Sequence, residues 1–208
     1  MKEWAGAGLL EQRRTPVLQQ YDPMIGIEFS DLSVDGCITK APGGGQKAGR
    51  SPVDRGKQGL TRSTVTDARG VPVHVVAAGA NRPDAPVLQP TRAGLDQPAP
   101  LPAGGTAHRD RAYDGAPTRA RLATRGLLAE IARTGIAAPV QAGLRRVVER
   151  TTSWMNADGT LRRCTERDGR VVDFDLFLAA AIVTTRILIR RARTRYRWPT
   201  RPTTRRLK

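Results

Sequence analysis

The stretch LTRSTVTDARGVPVHVVAAGA, residues 60–80, alternates apolar and polar side chains on both sides of a short Asp-Ala-Arg-Gly segment. Alternation with a period of two is typical of strands, and the Asp and Gly between them favour a tight turn. We therefore predict two antiparallel strands at 60–67 and 71–78. This hairpin indicates a sheet, and the fold prediction builds outward from it.

The segments around the hairpin add further strands and helices. Strands are predicted at 30–36, 106–110 and 127–133, and helices near 85–95, at 116–126, at 141–154 and at 171–198. The last helix is apolar in its first half and basic in its second. The pattern predicts an α/β (α+β) fold, with a mixed sheet, flanking helices and a long basic C-terminal helix.

The charge is large and unevenly distributed. The chain has 35 Lys and Arg against 19 Asp and Glu, a net charge of +16, and nearly all of the excess lies in the second half. From Arg186 to Lys208 there are ten Lys or Arg and no acid. Such a run repels itself unless it is solvated or lies against phosphates, so nucleic acid is the predicted partner.

The remaining composition narrows the class of protein. Two cysteines, Cys37 and Cys164, without CxxC spacing are too few for a structural zinc site and are typical of free thiols in a reducing cytoplasm. The longest apolar run, residues 176–183, is much shorter than a membrane span, and the N-terminus lacks the apolar core of a signal peptide. We therefore expect a cytoplasmic protein.

Two familiar motifs are incomplete. GGQKAGRS at 44–51 comes close to a P-loop, but Arg50 stands where the pattern needs lysine and no helix can begin after it. His74 and His108 have no G-x-S-x-G elbow to complete a hydrolase triad. His74 lies in an alternating strand, so a structural or surface role is the simpler interpretation for it.

Three carboxylates form the candidate site. Asp35 and Asp110 fall at the ends of predicted strands, and Glu149 falls on a predicted helix that could pack against the same rim. Three acids gathered there would repel one another unless hard cations such as Mg²⁺ or Mn²⁺ joined them. Two simpler interpretations stay open: many acids end strands, and Glu149 could pair with Arg145 one helical turn earlier for only about 0.3–0.5 kcal/mol.

Several strings of the sequence, taken together, resemble the DDE transposases of bacterial insertion sequences, in the insertion-sequence-five group as found in actinobacteria. The resemblance runs from about Tyr21 to Lys208. It implies a ribonuclease-H-like catalytic domain, a site with two Mg²⁺ or Mn²⁺ ions, and cleavage and transfer of DNA strands at transposon ends. The strings are VDGCITKAPGGG (34–45), SPVDRGKQGL (51–60), RSTVTDARGVP (62–72), AGANR (78–82), VVERT (147–151), SWMN (153–156) and LRRCTE (161–166).

The resemblance also assigns roles to residues. Asp35 in VDG, Asp110 before Ala-Tyr-Asp and Glu149 in VERT correspond to the catalytic, metal-binding acids of the family. Basic residues around and after the last acid would hold duplex DNA, both the insertion-sequence ends and the target, through phosphates that match the arginine fork. These residues are Arg145, Arg150, Arg162, Arg163, Arg190 and Arg191.

The resemblance divides the chain into three parts. Residues 1–29 would be the helical remnant of an N-terminal segment, 30–170 the catalytic domain, and 171–208 the C-terminal helix and basic tail. Family members usually begin with a helical DNA-binding segment, whereas 34 residues precede Asp35 here, so we expect an N-terminally truncated copy. The location would be the bacterial cytoplasm, associated with the nucleoid, and a homodimer is one open option for the oligomeric state.

One strand departs from the family pattern. In AHRDRAYDG, residues 107–115, Ala107 and Arg109 would face the same, normally buried, side, where the family usually has apolar residues. Burial of an arginine is costly, so an inactive, decayed copy stays open beside a competent enzyme. The alternative function is a basic nucleic-acid-binding protein without chemistry, which the charge alone would support.

Overall fold

The computed structural model describes residues 2–7, 24–82, 104–109, 115–124, 126–131 and 145–195. Five helices lie in these ranges: α1 (Lys2–Gly6), α2 (Ala116–Ala123), α3 (Arg145–Met155), α4 (Gly159–Arg162) and α5 (Gly169–Arg195). Six strands accompany them: β1 (Asp31–Lys40), β2 (Gly49–Arg50), β3 (Gln58–Thr66), β4 (Pro72–Gly79), β5 (Thr106–Arg109) and β6 (Leu128–Ile131).

The six strands form one mixed sheet with β1 near its centre. Its order is β2-β3-β1-β5-β6, and β4 pairs with β3 on the side away from β1. β1 runs antiparallel to β3 and parallel to β5, and β5 runs parallel to β6. The sheet therefore has an antiparallel half and a parallel half that meet at β1.

The turn between β3 and β4 is held by the buried side chain of Asp67. Its Oδ1 accepts the backbone N–H groups of Arg69 and Val71 at 2.9 and 2.8 Å, and its Oδ2 accepts that of Glu28 at 3.2 Å. Burial raises the pKa of Asp67, while these backbone hydrogen bonds act in the opposite direction. The Asp-Ala-Arg-Gly segment thus makes the predicted turn and also fixes the chain that enters β1.

Each face of the sheet packs against its own helices. On one face, Leu60 and Val75 contact a cluster that includes Met155 of α3, Leu161 of α4 and Leu176 of α5. On the other face, the core contains Leu32 and Val34 of β1, Ala107 of β5 and Leu122 of α2. Because alternate residues of a strand point to opposite faces, Ser33, Asp35, Cys37 and Thr39 point to the face covered by α3 and α4.

The predicted fold class is confirmed: the protein is an α+β domain with a mixed sheet and flanking helices, consistent with a ribonuclease-H-like arrangement. The hairpin strands lie within two residues of their predicted bounds. β1 is longer than predicted and continues to Lys40, because β3 pairs with it along that whole length. The short elements β2 and α4 were not predicted, and the predicted helix near 85–95 lies outside the described residues.

The long helix α5 begins at Gly169 and is followed through Arg195. Its first half is buried against the sheet, while Arg186, Arg190, Arg191, Arg193 and Arg195 are all exposed. No helix in the described part of the chain is long and apolar enough to cross a membrane.

Candidate active site

Asp35 lies in the middle of β1, half-buried, on the face covered by α3. Its Cα is paired with that of Thr64 on β3. The predicted position of Asp35 at a strand end is wrong, because β1 continues for five residues beyond it and remains paired with β3. A central strand gives such a side chain a defined position on the sheet.

Glu149 lies on the exposed side of α3, the helix that packs against β1 and β3. Val148 and Met155 of the helix are buried, and Thr151 donates its hydroxyl to the carbonyl oxygen of Gly70 at 2.7 Å. The helix therefore begins over the β3–β4 turn. Since the antiparallel partner of the end of β3 is the start of β1, Glu149 and Asp35 lie on elements that pack together on one face of the sheet.

Asp110 lies outside the described residues, but its neighbour Arg109 is described. Arg109 is the last residue of β5, and its Cα is paired with that of Val34. In the sequence, Asp35 follows Val34 directly and Asp110 follows Arg109 directly, so the two acids come next after one pair of neighbouring residues on β1 and β5. As predicted, Ala107 and Arg109 are both buried.

A buried histidine joins the three parallel strands. The Nε2 of His108 lies 2.8 Å from Oδ1 of Asp31 on β1, and its Nδ1 lies 2.7 Å from Oε2 of Glu130 on β6. The two ring nitrogens thus contact carboxylates on both neighbouring strands. This geometry, which the sequence did not predict, holds β5 between β1 and β6.

Two of the three predicted metal ligands, Asp35 and Glu149, lie in the described part of the chain. Asp35 and Glu149 offer carboxylate oxygens, which suit Mg²⁺ and Mn²⁺, from elements in contact. Within the described ranges, no three Asp, Glu, His or Cys side chains are grouped closely enough to hold a metal ion. The donor type fits a hard cation, and the third predicted donor belongs to the undescribed segment after Arg109.

Arginines predicted to bind DNA gather around Trp154, a partly buried residue of α3 that packs on the core. The guanidinium carbon of Arg150 lies 5.0 Å from the centre of the indole, and that of Arg190 on α5 lies 5.9 Å from it. Arg191, the next residue on α5, is exposed. Two helices thus bring positive charge together at Trp154; the side chain of Arg145 is outside the described part of the chain.

Arg162 and Arg163 line a basic cleft at the far end of β1. The cleft has a volume of about 660 Å³, and its lining also includes Lys40, Lys57, Pro42 and Gln58. The backbones of Arg163 and Lys40 pair in an isolated β-bridge. The Nζ of Lys57 lies 3.9 Å from Oδ1 of Asp54. Four cations in one cleft form a surface that attracts phosphate.

Sequence reasoning missed the residues that hold these elements together. Arg62 of β3 is buried and contacts Cys37 and Asn156, and Lys40 and Lys57 were not assigned to the basic surface. The signal for Arg62 was present: its position lies between Leu60 and Thr64 on the inward side of a strand, where a charged residue is costly unless it has a partner.

Comparison with known proteins agrees with this architecture. Residues 28–184 match the family described as Transposase DDE domain. A protein of Burkholderia cepacia, whose name describes it as a transposase for insertion sequence element IS402, is 33% identical over 130 residues, which cover 60% of this chain and 62% of the relative. The chain thus matches somewhat less than two thirds of that relative's length. Since the family match spans more than half of the chain, this protein belongs to the DDE transposase domain family.

Proposed function

We propose that this chain binds duplex DNA and catalyses metal-dependent cleavage and transfer of strands at the ends of an insertion sequence. The proposal includes the insertion-sequence-five group and its actinobacterial type, which are supported by the strings around Asp35, Asp67 and Glu149. The excess positive charge supports a cytoplasmic location on the nucleoid.

The observation that carries the proposal is the register of the two central strands. Val34 of β1 is paired in parallel with Arg109 of β5, and the two predicted acids follow these residues directly. Neighbouring strands lie about 4.8 Å apart, and consecutive Cα atoms lie about 3.8 Å apart. Val34 and Arg109 are therefore close neighbours at the point where the chain continues into the two predicted acids, which supports a site that both acids share.

A DDE transposase domain implies the use of divalent metal ions. We propose Mg²⁺ or Mn²⁺, two ions, with Asp35, Asp110 and Glu149 as protein ligands. When bound, such a pair of ions activates the attacking oxygen and stabilises the leaving oxygen of a phosphodiester. Asp35 supplies its carboxylate from the sheet and Glu149 from the helix above, so the ligands approach from two sides.

The basic surfaces supply the grip on DNA. Arg150 and Arg190 meet at Trp154 of α3, the helix that also carries Glu149. Arg162 and Arg163 line the cleft with Lys40 and Lys57. Along β1, Lys40 lies five residues from Asp35, or about 17 Å. That length corresponds to about five base pairs of a duplex. The cleft also contains Arg162 of α4, which packs on the face of the sheet that carries Asp35, so we propose that one DNA segment contacts both the carboxylates and the cleft.

The test is nicking of DNA that carries the ends of the protein's own element, with Mg²⁺ or Mn²⁺ supplied. The unmodified protein is expected to nick this DNA. The Asp35→Asn and Glu149→Gln variants keep size and hydrogen bonding but lose the charge that the cation needs, so nicking should fall at least about 100-fold. DNA binding should persist, because the basic surface gains net positive charge.

An Asp168→Asn variant serves as the matched control, since it also neutralises one carboxylate but lies next to the start of α5, where it pairs with Arg170. It should nick like the unmodified protein. Folded protein that binds DNA but never nicks it would favour the alternative, a basic nucleic-acid-binding protein without chemistry. Equal nicking by the Glu149→Gln variant would point to a contaminating nuclease and would remove Glu149 from the mechanism.

A further inference from the structure

Arg62 of β3 is a buried cation on the face of the sheet that carries Asp35. Only 2% of its surface is exposed. Its Nη2 donates to Oδ1 of Asn156 at 2.5 Å and lies 3.2 Å from Sγ of Cys37. Its Cα is paired with that of Cys37, and Asp35 is its diagonal neighbour. At such diagonal positions, side chains about 7–8 Å apart at the backbone still influence one another when one of them is long.

Asn156 follows directly on the last residue of α3 and keeps a helical hydrogen bond, because its N–H donates to the carbonyl oxygen of Thr152 at 3.0 Å. It comes seven residues after Glu149. Seven residues make almost two complete turns of an α-helix, or about 10.5 Å along the axis. Glu149 and Asn156 therefore lie on nearly the same side of the helix.

The strand provides the matching distance. Cys37 comes two residues after Asp35 and points to the same face, about 6.7 Å farther along β1. Asp35 comes before Cys37 in β1, and Glu149 comes before Asn156 in α3. Both acids therefore lie on the same side of the Arg62 contact, towards the starts of the strand and of the helix. A shift or rotation of α3 relative to the sheet would move Glu149 with respect to Asp35, and Arg62 opposes that movement.

We propose that Arg62 is a positioning residue for the metal-binding carboxylates, because it joins β1 to the end of α3 and so fixes where Glu149 lies relative to Asp35. This inference rests on the proposed function. An apolar side chain of similar volume often stabilises a protein core as well as a buried charged group does, or better. Stability alone therefore gives no reason for an arginine at this position. The bond between Thr151 and Gly70 holds the middle of the helix, and the contact of Arg62 with Asn156 holds its end.

The test compares Mn²⁺ binding, measured by electron paramagnetic resonance of the free ion, in variants that break or restore the contact. Arg62→Met removes the donor at similar volume, and Asn156→Ala removes the acceptor. Each should weaken Mn²⁺ binding by about 10–100-fold, the range seen when groups that orient metal ligands are removed. Asn156→Asp keeps an oxygen acceptor for Arg62 and should restore binding to near the original affinity.

A Val183→Ala variant controls for lost stability, since Val183 is a buried residue of α5 in the core on the same face. All proteins are measured well below their unfolding temperatures. Val183→Ala should bind Mn²⁺ like the unmodified protein. If Glu149→Gln weakens Mn²⁺ binding while Arg62→Met and Asn156→Ala do not, the positioning role is wrong and the metal site stands. If Glu149→Gln has no effect either, the metal site itself fails and the role of Arg62 fails with it.

Discussion

Asp175 is a carboxylate buried inside α5, with 3% of its surface exposed. Its Oδ2 has no hydrogen-bond partner among the described residues. Burial, with a smaller contribution from the charge of Asp158, raises its pKa to about 6, although a hydrogen bond from Thr160 acts in the opposite direction. The folded protein therefore holds this proton more tightly than the unfolded chain, whose carboxyl titrates near 3.8.

The free energy of unfolding should therefore decrease as the pH rises from 3.8 to about 6. Below about pH 4 the carboxyl is protonated in both states, and above about pH 6 the folded protein bears the full cost of a buried charge, on the order of 2 kcal/mol. Asp175→Asn should therefore stabilise the protein at pH 7.5 and change little at pH 4. Urea unfolding at the two values measures this difference. Asp173→Asn, which removes the ion pair with Lys47, should show no such gain at pH 7.5.

Buried Arg109 is the last residue of β5, and its burial affects the stability of the protein. It is 4% exposed and lies where the family usually has an apolar residue. Replacing a whole buried ion pair by apolar side chains often gains about 1–4 kcal/mol, whereas removing one partner of a buried polar contact costs about 3–5 kcal/mol. Arg109→Leu changes one side chain only and also shortens it, so it should lower the midpoint of urea unfolding. A rise in the midpoint would indicate that the cost of burying the guanidinium outweighs its contacts in this strand.

Among the elements, the β3–β4 turn supports the start of α3. Gly70 has a φ of +91°, and a Cβ added there would lie 2.9 Å from Oγ1 of Thr151 and 3.2 Å from Cγ1 of Val147. Gly70→Ala should therefore cost about 1–3 kcal/mol for the backbone conformation and more for the displaced helix. Hydrogen exchange of the α3 amides should become faster.

Gly56 offers the matched control for this prediction. It has a φ of +72°, but an added Cβ there would meet nothing within 4 Å. Gly56→Ala should show the conformational cost alone and leave exchange in α3 unchanged. Equal effects of the two substitutions on α3 would contradict the proposed support of the helix by the turn.

Most of the helices and strands could be predicted from the sequence. The hairpin, β5, β6, α2 and α5 were predictable, because alternation, helical spacing and turn residues are local signals. The extension of β1 to Lys40 was not, since Gly36 and Cys37 have weak strand preference and are held by pairing with Ser63 and Arg62. For the site, the motif strings indicated Asp35 and Glu149, but Arg62, Asn156 and Lys57 act through contacts between distant parts of the chain that periodicity does not reveal.

At the scale of the whole molecule, the net charge of +16 should dominate binding to DNA. Affinity for duplex DNA should fall with salt by about 0.9 log unit per log unit of salt for each phosphate contacted. A variant with Lys40→Ala and Arg162→Ala should show a slope that is smaller by about one to two such contacts. A filter-binding titration at several salt concentrations measures the slope.

A variant with Lys2→Ala and Arg170→Ala provides the control, because it also removes two positive charges but leaves the cleft intact. Arg170 is paired with Asp168 at the start of α5. This variant should keep nearly the original slope. If both double variants change the slope equally, total charge and not the cleft determines the number of phosphates bound.

The mixed sheet also has a consequence for the order of folding. Val34 is paired with Val65 in the antiparallel half and with Arg109 in the parallel half, and the second contact closes a chain loop more than twice as long as the first. Closure of a longer loop costs more entropy, and non-local pairing slows folding. We expect β1, β3 and β4 to associate first, with one edge of β1 open until β5 docks. During that interval the exposed strand edge can pair with another chain, so β5 docking is the step at which crowding or dilution should alter the yield of folded protein.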